Sequence, residues 1–172
     1  MRPVFLIPLA FTSLLHAQAP APDLSDAEVA HVAVTANTID VELGKLAQAR
    51  SGTESVRQFA FAMVSDHAAV NQQAAALAAR LGVTPKDNAV SQSLTAGAAD
   101  AKKKIEGLTG VAFDRAYMDR EVAYHQAVID ALDGLLIPTT ENAELKKLLT
   151  DVRPAFAAHL EHAKRIKGSL GR

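Results

Sequence analysis

Residues 82–112 read GVTPKDNAVSQSLTAGAADAKKKIEGLTGVA, and this stretch decides the architecture. Gly82, followed by Thr84-Pro85, stops the helical pattern that precedes it. Between Asp87 and Leu108 the apolar residues Val90, Leu94, Ala98, Ala101, Ile105 and Leu108 recur at steps of three and four. The pattern is weak and Gly97 interrupts it, so it predicts a shorter helix inside a connection. Such a connection can run the length of a helical bundle. The links on either side of it, at Ser51-Gly52 and Ile137-Pro138-Thr139, are short. Short links make neighbouring helices antiparallel, and a long crossover makes the helices it joins parallel.

Four stronger stripes surround this connection. Ser25-Asp26-Ala27-Glu28 has the form of a capping box, and Val29, Val32, Ala36, Ile39, Leu43 and Leu46 follow it to about Arg50. A second helix opens at Thr53 and carries Val56, Ala60, Met63, Val70, Ala74 and Leu81. A third runs from about Phe113 to Leu135 with Tyr117, Val128 and Leu132 on one face. The fourth spans about Glu141 to Lys167, with Leu145, Leu148, Val152, Phe156, Ala163 and Ile166 inward. Pro154 lies inside it and predicts a kink or a break there. No run alternates in polarity as a strand would. The fold class is all-α: a ferritin-like four-helix bundle with one long crossover carrying an extra shorter helix, in one domain over residues 25–168.

Composition narrows the chemistry. The 172 residues are 49% hydrophobic and 5% aromatic, with 34 alanines, no cysteine and no tryptophan. Alanine at that level favours helix. The absence of cysteine removes disulfides, thiolate-bound metals and thiol catalysis. Eighteen basic against nineteen acidic residues leave a net charge of −1, too little positive field to hold nucleic acid. Gly107-Leu108-Thr109-Gly110 lacks the Lys-Ser/Thr of a phosphate loop and reads as a turn. Lys102-Lys103-Lys104 reads as a solvated face.

The N-terminus reads as an address. Arg2 precedes an apolar run from Val4 to Leu15, and small residues follow at Ala17 and Ala19. That is the layout of a secretory signal peptide over residues 1–19, cleaved near 17–19, with residues 20–24 as an extended linker. The apolar run is short for a membrane span. The expected destination is the periplasm or the exterior, with outer-membrane association as one form of it, and the mature chain is expected to have no integral span.

Candidate chemistry lies where the apolar stripes are interrupted. At about 100° per residue, His67 falls between Met63 and Val70 at the centre of the second stripe. Glu121 and His125 stand one turn apart on the inward face of the third helix. His159 occupies the middle of the fourth stripe, and Glu42, Asp66 and His162 lie at the flanks. A buried carboxylate needs a partner, a hydrogen bond or a metal. Carboxylates and imidazoles projecting inward from facing helices are how bundles hold metal ions. Two readings follow for Glu121, His125, His159 and His67: a divalent metal site for Fe, Mn, Zn or Cu, or a polar layer in which Glu121 pairs with a histidine. Folding the third helix onto the fourth about Pro138 sets Glu121 beside Phe156 and His159. The same fold puts His125 opposite Val152, about 10 Å lower at 1.5 Å per residue.

The sequence words carry a resemblance. Phe59-Ala60 through Asp66-His67, Phe113-Asp114-Arg115-Ala116-Tyr117, Glu121-Val122-Ala123-Tyr124-His125-Gln126, and Arg153-Pro154 with His159-Leu160-Glu161-His162-Ala163 resemble the bacterial family called domain of unknown function 4142. Members of that family are often labelled secreted or outer-membrane proteins and are grouped with the ferritin-like superfamily. The resemblance covers roughly residues 25–168 and implies fold and export more than activity. Carried over by position, it implies that Glu42 and Glu121 supply carboxylates, and His67 with His162 or His159 the imidazoles. The chain departs from the di-iron pattern of Glu-x-x-His: Val64 stands three before His67, His159 stands three before His162, and His125 is additional. These departures favour a mononuclear or degraded site over a di-iron centre.

Three classes of function remain. They are an exported bundle binding a metal ion or small ligand in its core, a structural bundle of the cell envelope that binds a protein partner, and a metal-dependent oxidoreductase of ferroxidase or peroxidase type.

Overall fold

The structure, a computed structural model, describes residues 23–170. The signal segment at 1–19 lies outside the described residues. All regular structure among the described residues is helical: α1 (Asp26–Arg50), α2 (Glu54–Leu81), α3 (Ala89–Glu106), α4 (Gly110–Ala131), a π-helical turn at Leu132–Leu136, α5 (Ile137–Thr139) and α6 (Ala143–Ser169). The capping box forms as expected: the Glu28 amide donates to Ser25 Oγ, and the Ser25 amide donates to Glu28 Oε2. α2 ends on Gly82, whose φ of 64° is the left-handed conformation that favours glycine at a helix terminus. Gly97 does not interrupt α3. No described helix is long and apolar enough to cross a membrane.

Side-chain pairings fix the directions. His67 on α2 meets Asn37 on α1 and Ala60 meets Gln48, and Arg120 and Tyr124 on α4 meet Asp40 and Ala36. Both α2 and α4 are therefore antiparallel to α1, and parallel to each other, as the long crossover requires. α3 makes that return beside α1: Asn88 donates to the Glu28 carbonyl near one end, and Arg50 donates to the Glu106 and Leu108 carbonyls near the other. Asp26 accepts from the amides of Glu141 and Asn142, setting the start of α6 beside the start of α1.

One expectation is corrected. The chain does not turn at Ile137-Pro138-Thr139; it stays helical through Thr139. A proline in a regular helix removes a hydrogen bond and crowds the carbonyl four residues earlier. Here the turn before Pro138 widens to π geometry, with the Ile137 amide reaching Leu132 O, which relieves that crowding. The Thr139 and Thr140 hydroxyls then donate to the Leu135 and Leu136 carbonyls, and Asn142 Oδ1 caps α6. Moving the turn past Pro138 slides α6 against α4 relative to the expected register, as Asp133–Arg153 and Asp119–Lys167 show. α6 itself continues through Pro154 without a break.

The interior is layered. One apolar core holds Leu43, Phe59, Met63, Phe113, Tyr117 and Ile166. The other holds Val29, Leu77, Ile129, Leu136, Leu149 and Phe156. Buried Asn37, Asp40, His67, Glu121 and His125 lie between them. Above this layer α1 and α2 approach closely at Gly44, where a Cβ would stand 2.9 Å from a Val64 methyl and 3.1 Å from the Ala60 carbonyl.

Candidate functional site

Every long helix contributes to the polar layer. α1 supplies Asn37 and Asp40, one turn below Gly44. α2 supplies His67, α4 supplies Arg120, Glu121 and His125, and α6 supplies His159. The register set by the π-helical turn brings His125 level with His159, with ring centroids 5.5 Å apart, so the expected 10 Å offset does not occur. The His67 ring lies 5.6 Å from that of His125 and 5.4 Å from that of His159. One ring nitrogen of each of the three lies within 4.8 Å of one from each of the others.

Each ring is held through one nitrogen. Asn37 Nδ2 donates to the Ala33 carbonyl at 2.8 Å, which turns Asn37 Oδ1 toward His67 Nδ1 at 2.7 Å. An amide oxygen can only accept, so His67 carries its proton on Nδ1. His125 Nδ1 is 3.0 Å from the Glu121 backbone carbonyl, which fixes its tautomer in the same way. His159 Nε2 donates to Asp66 Oδ2 at 3.0 Å. The other nitrogens, His67 Nε2, His125 Nε2 and His159 Nδ1, are buried without a hydrogen-bond partner.

The carboxylate half is differently arranged. Arg120 Nη1 bridges Asp40 Oδ1 and Glu121 Oε1, the latter at 2.7 Å, and its guanidinium lies 3.8 Å from the centroid of the Tyr124 ring. Glu121 Oε2 stands 3.4 Å from His125 Nδ1. Asp40 Oδ2 is 3.5 Å from His67 Nε2 and 3.9 Å from His125 Nε2. Asp40, Glu121 and His125 thus form a second cluster, but one guanidinium already bridges its two carboxylates.

The electrostatics separate the groups. Burial, then the charges of His125 and His159, push His67 down to about 3, so it is neutral. Burial also lowers His159, against the pull of Asp66. Burial works against a charged His125, yet Glu121 and Asp40 together raise it. Burial and then the Glu121 charge push Asp40 up to about 6, against Arg120 and His125. Burial opposes ionisation of Glu121 too, but Arg120 and His125 outweigh it and hold Glu121 below its ordinary value.

Of the six residues singled out from sequence, His67, His125 and His159 share one cluster, and Glu121 supports it through Arg120 and His125. Glu42 and His162 do not join them. Glu42 is exposed, and His162 packs edge-on against Phe59 at 5.4 Å. Asn37, Asp40 and Arg120 were not singled out. Asp40 had a readable signal, since it follows Ala36 by four and precedes Leu43 by three on the α1 stripe.

These features define a class: an α-helical protein of four long helices whose core is cut by a buried histidine–carboxylate layer. The chain belongs to the family described as Domain of unknown function (DUF4142), whose family model matches residues 12–166. No curated protein and no solved structure matches it significantly.

Proposed function

We propose that this is an exported metal-binding bundle in which His67, His125 and His159 hold one divalent transition-metal ion. The observation that carries the reading is the pairing of roles in each ring: one nitrogen donates to Asn37, the Glu121 carbonyl or Asp66, and the other is buried and unpartnered. Histidines that ligate metals are oriented in this way, by a carbonyl or carboxylate on the second ring nitrogen. The spacing suits the reading as well. An ion about 2.0–2.1 Å from an imidazole nitrogen lies roughly 3.2 Å from the ring centroid, and three centroids about 5.5 Å apart allow one ion that distance from each.

Three imidazoles favour Zn²⁺ or Cu²⁺ over the oxygen-seeking Mn²⁺ and Mg²⁺. Such an ion would act as a Lewis acid when bound. The protein's own contribution is orientation of the rings, exclusion of water by Phe156, and a negative charge at Asp40 facing the cluster. His67 is already neutral and needs no deprotonation. The proposed export rests on the Arg2, Val4–Leu15 and Ala17/Ala19 pattern.

Metal analysis and calorimetry test the reading. One Zn²⁺ or Cu²⁺ per chain is expected, abolished by His67→Gln and by His125→Gln. An ion at 100 times its dissociation constant stabilises the fold by about 2.7 kcal/mol. The absence of any thermal shift with Mn²⁺, Fe²⁺, Zn²⁺ or Cu²⁺ at neutral pH overturns it. The ion-paired Arg120–Asp40–Glu121 half favours that second outcome, a polar layer that fixes helix register without metal. For export, the mature N-terminus is expected near Gln18 or Pro20, and intact Met1 on protein retained in the cytoplasm overturns it.

A further inference from the structure

The second apolar core is not filled. A cavity of about 70 Å³ lies between α1, α2, α4 and α6, with walls including Ala33, Ala74, Leu77, Leu132, Leu149 and Phe156. Its origin is in the sequence: alanines on α1 and α2 face leucines on the π-helical turn and α6, and the small side chains do not reach across. Cores of ordinary density leave few voids larger than a water molecule.

The wall chemistry decides what can enter. Asp26, Asn37 and Asn142 are the polar side chains on the wall, and their acceptors are already engaged. Asp26 accepts from Glu141 and Asn142, Asn37 Oδ1 from His67, and Asn142 Oδ1 from Glu144 and Leu145. Asn37 Nδ2 is engaged by the Ala33 carbonyl. A buried water needs two to four polar partners, and an apolar cavity without them stays dry. An engineered cavity of about 150 Å³ takes benzene or xenon; this one is half that size.

From these observations we infer that the cavity is a binding site for a small apolar molecule, of the size of a diatomic gas or a xenon atom. Its position gives it a consequence. Phe156 forms part of its wall and also stacks on His67, with ring centroids 4.9 Å apart and planes at 15°. An occupant therefore touches a side chain that stacks on the histidine cluster. Cavity shape and wall chemistry are the same whether or not a metal binds.

Xenon is the probe. The purified protein, prepared both with chelator and with Zn²⁺, is titrated with xenon while the methyl resonances are followed. Saturable shifts are expected at Leu77, Leu132 and Leu149 in both preparations, with none at Leu43 or Ile166 in the other core. Benzene is expected to give no comparable shift. Ala74→Leu fills the space from α2 and is expected to abolish the xenon response; Ala33→Val, a smaller insertion from α1, is expected to weaken it at least tenfold in a chain that keeps its helical spectrum. Failure of the metal reading would appear as a missing zinc response with the xenon shifts intact. Absent or unsaturable xenon shifts, equal shifts in both cores, an unchanged response in the filled variants, or an ordered water in the cavity would each overturn the proposal.

Discussion

Asn37 holds His67 in a single tautomer. Its amide nitrogen is committed to the Ala33 carbonyl, so its oxygen faces His67 Nδ1 and leaves Nε2 as a buried, unpartnered lone pair. A residue outside the proposed ligand set therefore determines which nitrogen of His67 is available.

The first prediction follows from this pair. Asn37→Leu fills similar space but removes the acceptor, so His67 is free to rotate and to change tautomer. Loss of such supporting contacts costs about 10–100-fold in metal affinity. Zinc calorimetry on Asn37→Leu is expected to fall in that range with one site retained. Unchanged affinity would detach Asn37 from the site.

Glu121 allows charge and coordination to be separated. Its side chain is bound by Arg120, while His125 is oriented by the Glu121 backbone carbonyl, which no side-chain change removes. Glu121→Gln is expected to keep zinc binding within about tenfold of the parent, the low end of the loss that follows from disturbing a supporting contact. His125→Gln is expected to abolish binding. Glu121→Ala leaves Arg120 with Asp40 alone and is expected to cost about 3 kcal/mol in urea unfolding, the low end for breaking a buried pair. A Glu121→Gln variant that loses zinc entirely would make Glu121 a ligand.

Much of this organisation was legible in the sequence, and the exceptions have definite causes. The apolar stripes, the Ser25 box and the length of the 82–112 connection were enough for the helices and their directions. The relative height of His125 and His159 was not, because it depends on how the chain passes Pro138. A local π-turn there moves the register without leaving a periodic signal. His67 and His159 stood out because histidine is conspicuous on an apolar stripe. Asp40 sat on its own stripe equally well, but its meaning comes from Arg120, eighty residues away, and a helical wheel carries no information about that partner. Glu42 and His162 were drawn in by the family pattern, and packing leaves them outside the cluster.

Gly44 provides a test of the packing above the site. Alanine would improve helix propensity by up to about 1 kcal/mol. Its Cβ would, however, meet the Val64 methyl at 2.9 Å and the Ala60 carbonyl at 3.1 Å. Overpacking of this kind costs about 1–3 kcal/mol, so Gly44→Ala is expected to lower stability by about 1 kcal/mol net. Val64→Ala in the same chain relieves the methyl contact and leaves the carbonyl contact, so the double variant recovers part of the loss. A stabilised Gly44→Ala would show that α1 and α2 are free to separate.

The last prediction concerns protons. His67 has a folded value near 3 against about 6.5 in an unfolded chain, so the unfolded state binds more protons between those limits. By linkage, its contribution to stability is complete above about pH 6.5 and is lost as the pH falls toward 3. Asp40 has the opposite sign. Its folded value near 6 exceeds an unfolded value of about 3.9, so its contribution is fully present below about pH 3.9 and is lost as the pH rises through 6. The two slopes oppose each other between about pH 4 and 6, and bulk unfolding alone cannot separate them. Resolved histidine resonances can. In the metal-free protein the His67 ring signals are expected to stay at their neutral positions down to pH 5, while His125, raised by Glu121 and Asp40 against the effect of burial, titrates above the ordinary imidazole value. Zinc binding about one pH unit below that His125 midpoint is then expected to release about one proton, taken from His125, since a ligand imidazole must be neutral. The release is readable as a dependence of the binding enthalpy on the ionisation enthalpy of the buffer. A His67 that titrates near 6, or binding in that range without proton release, would remove the electrostatic account of the cluster.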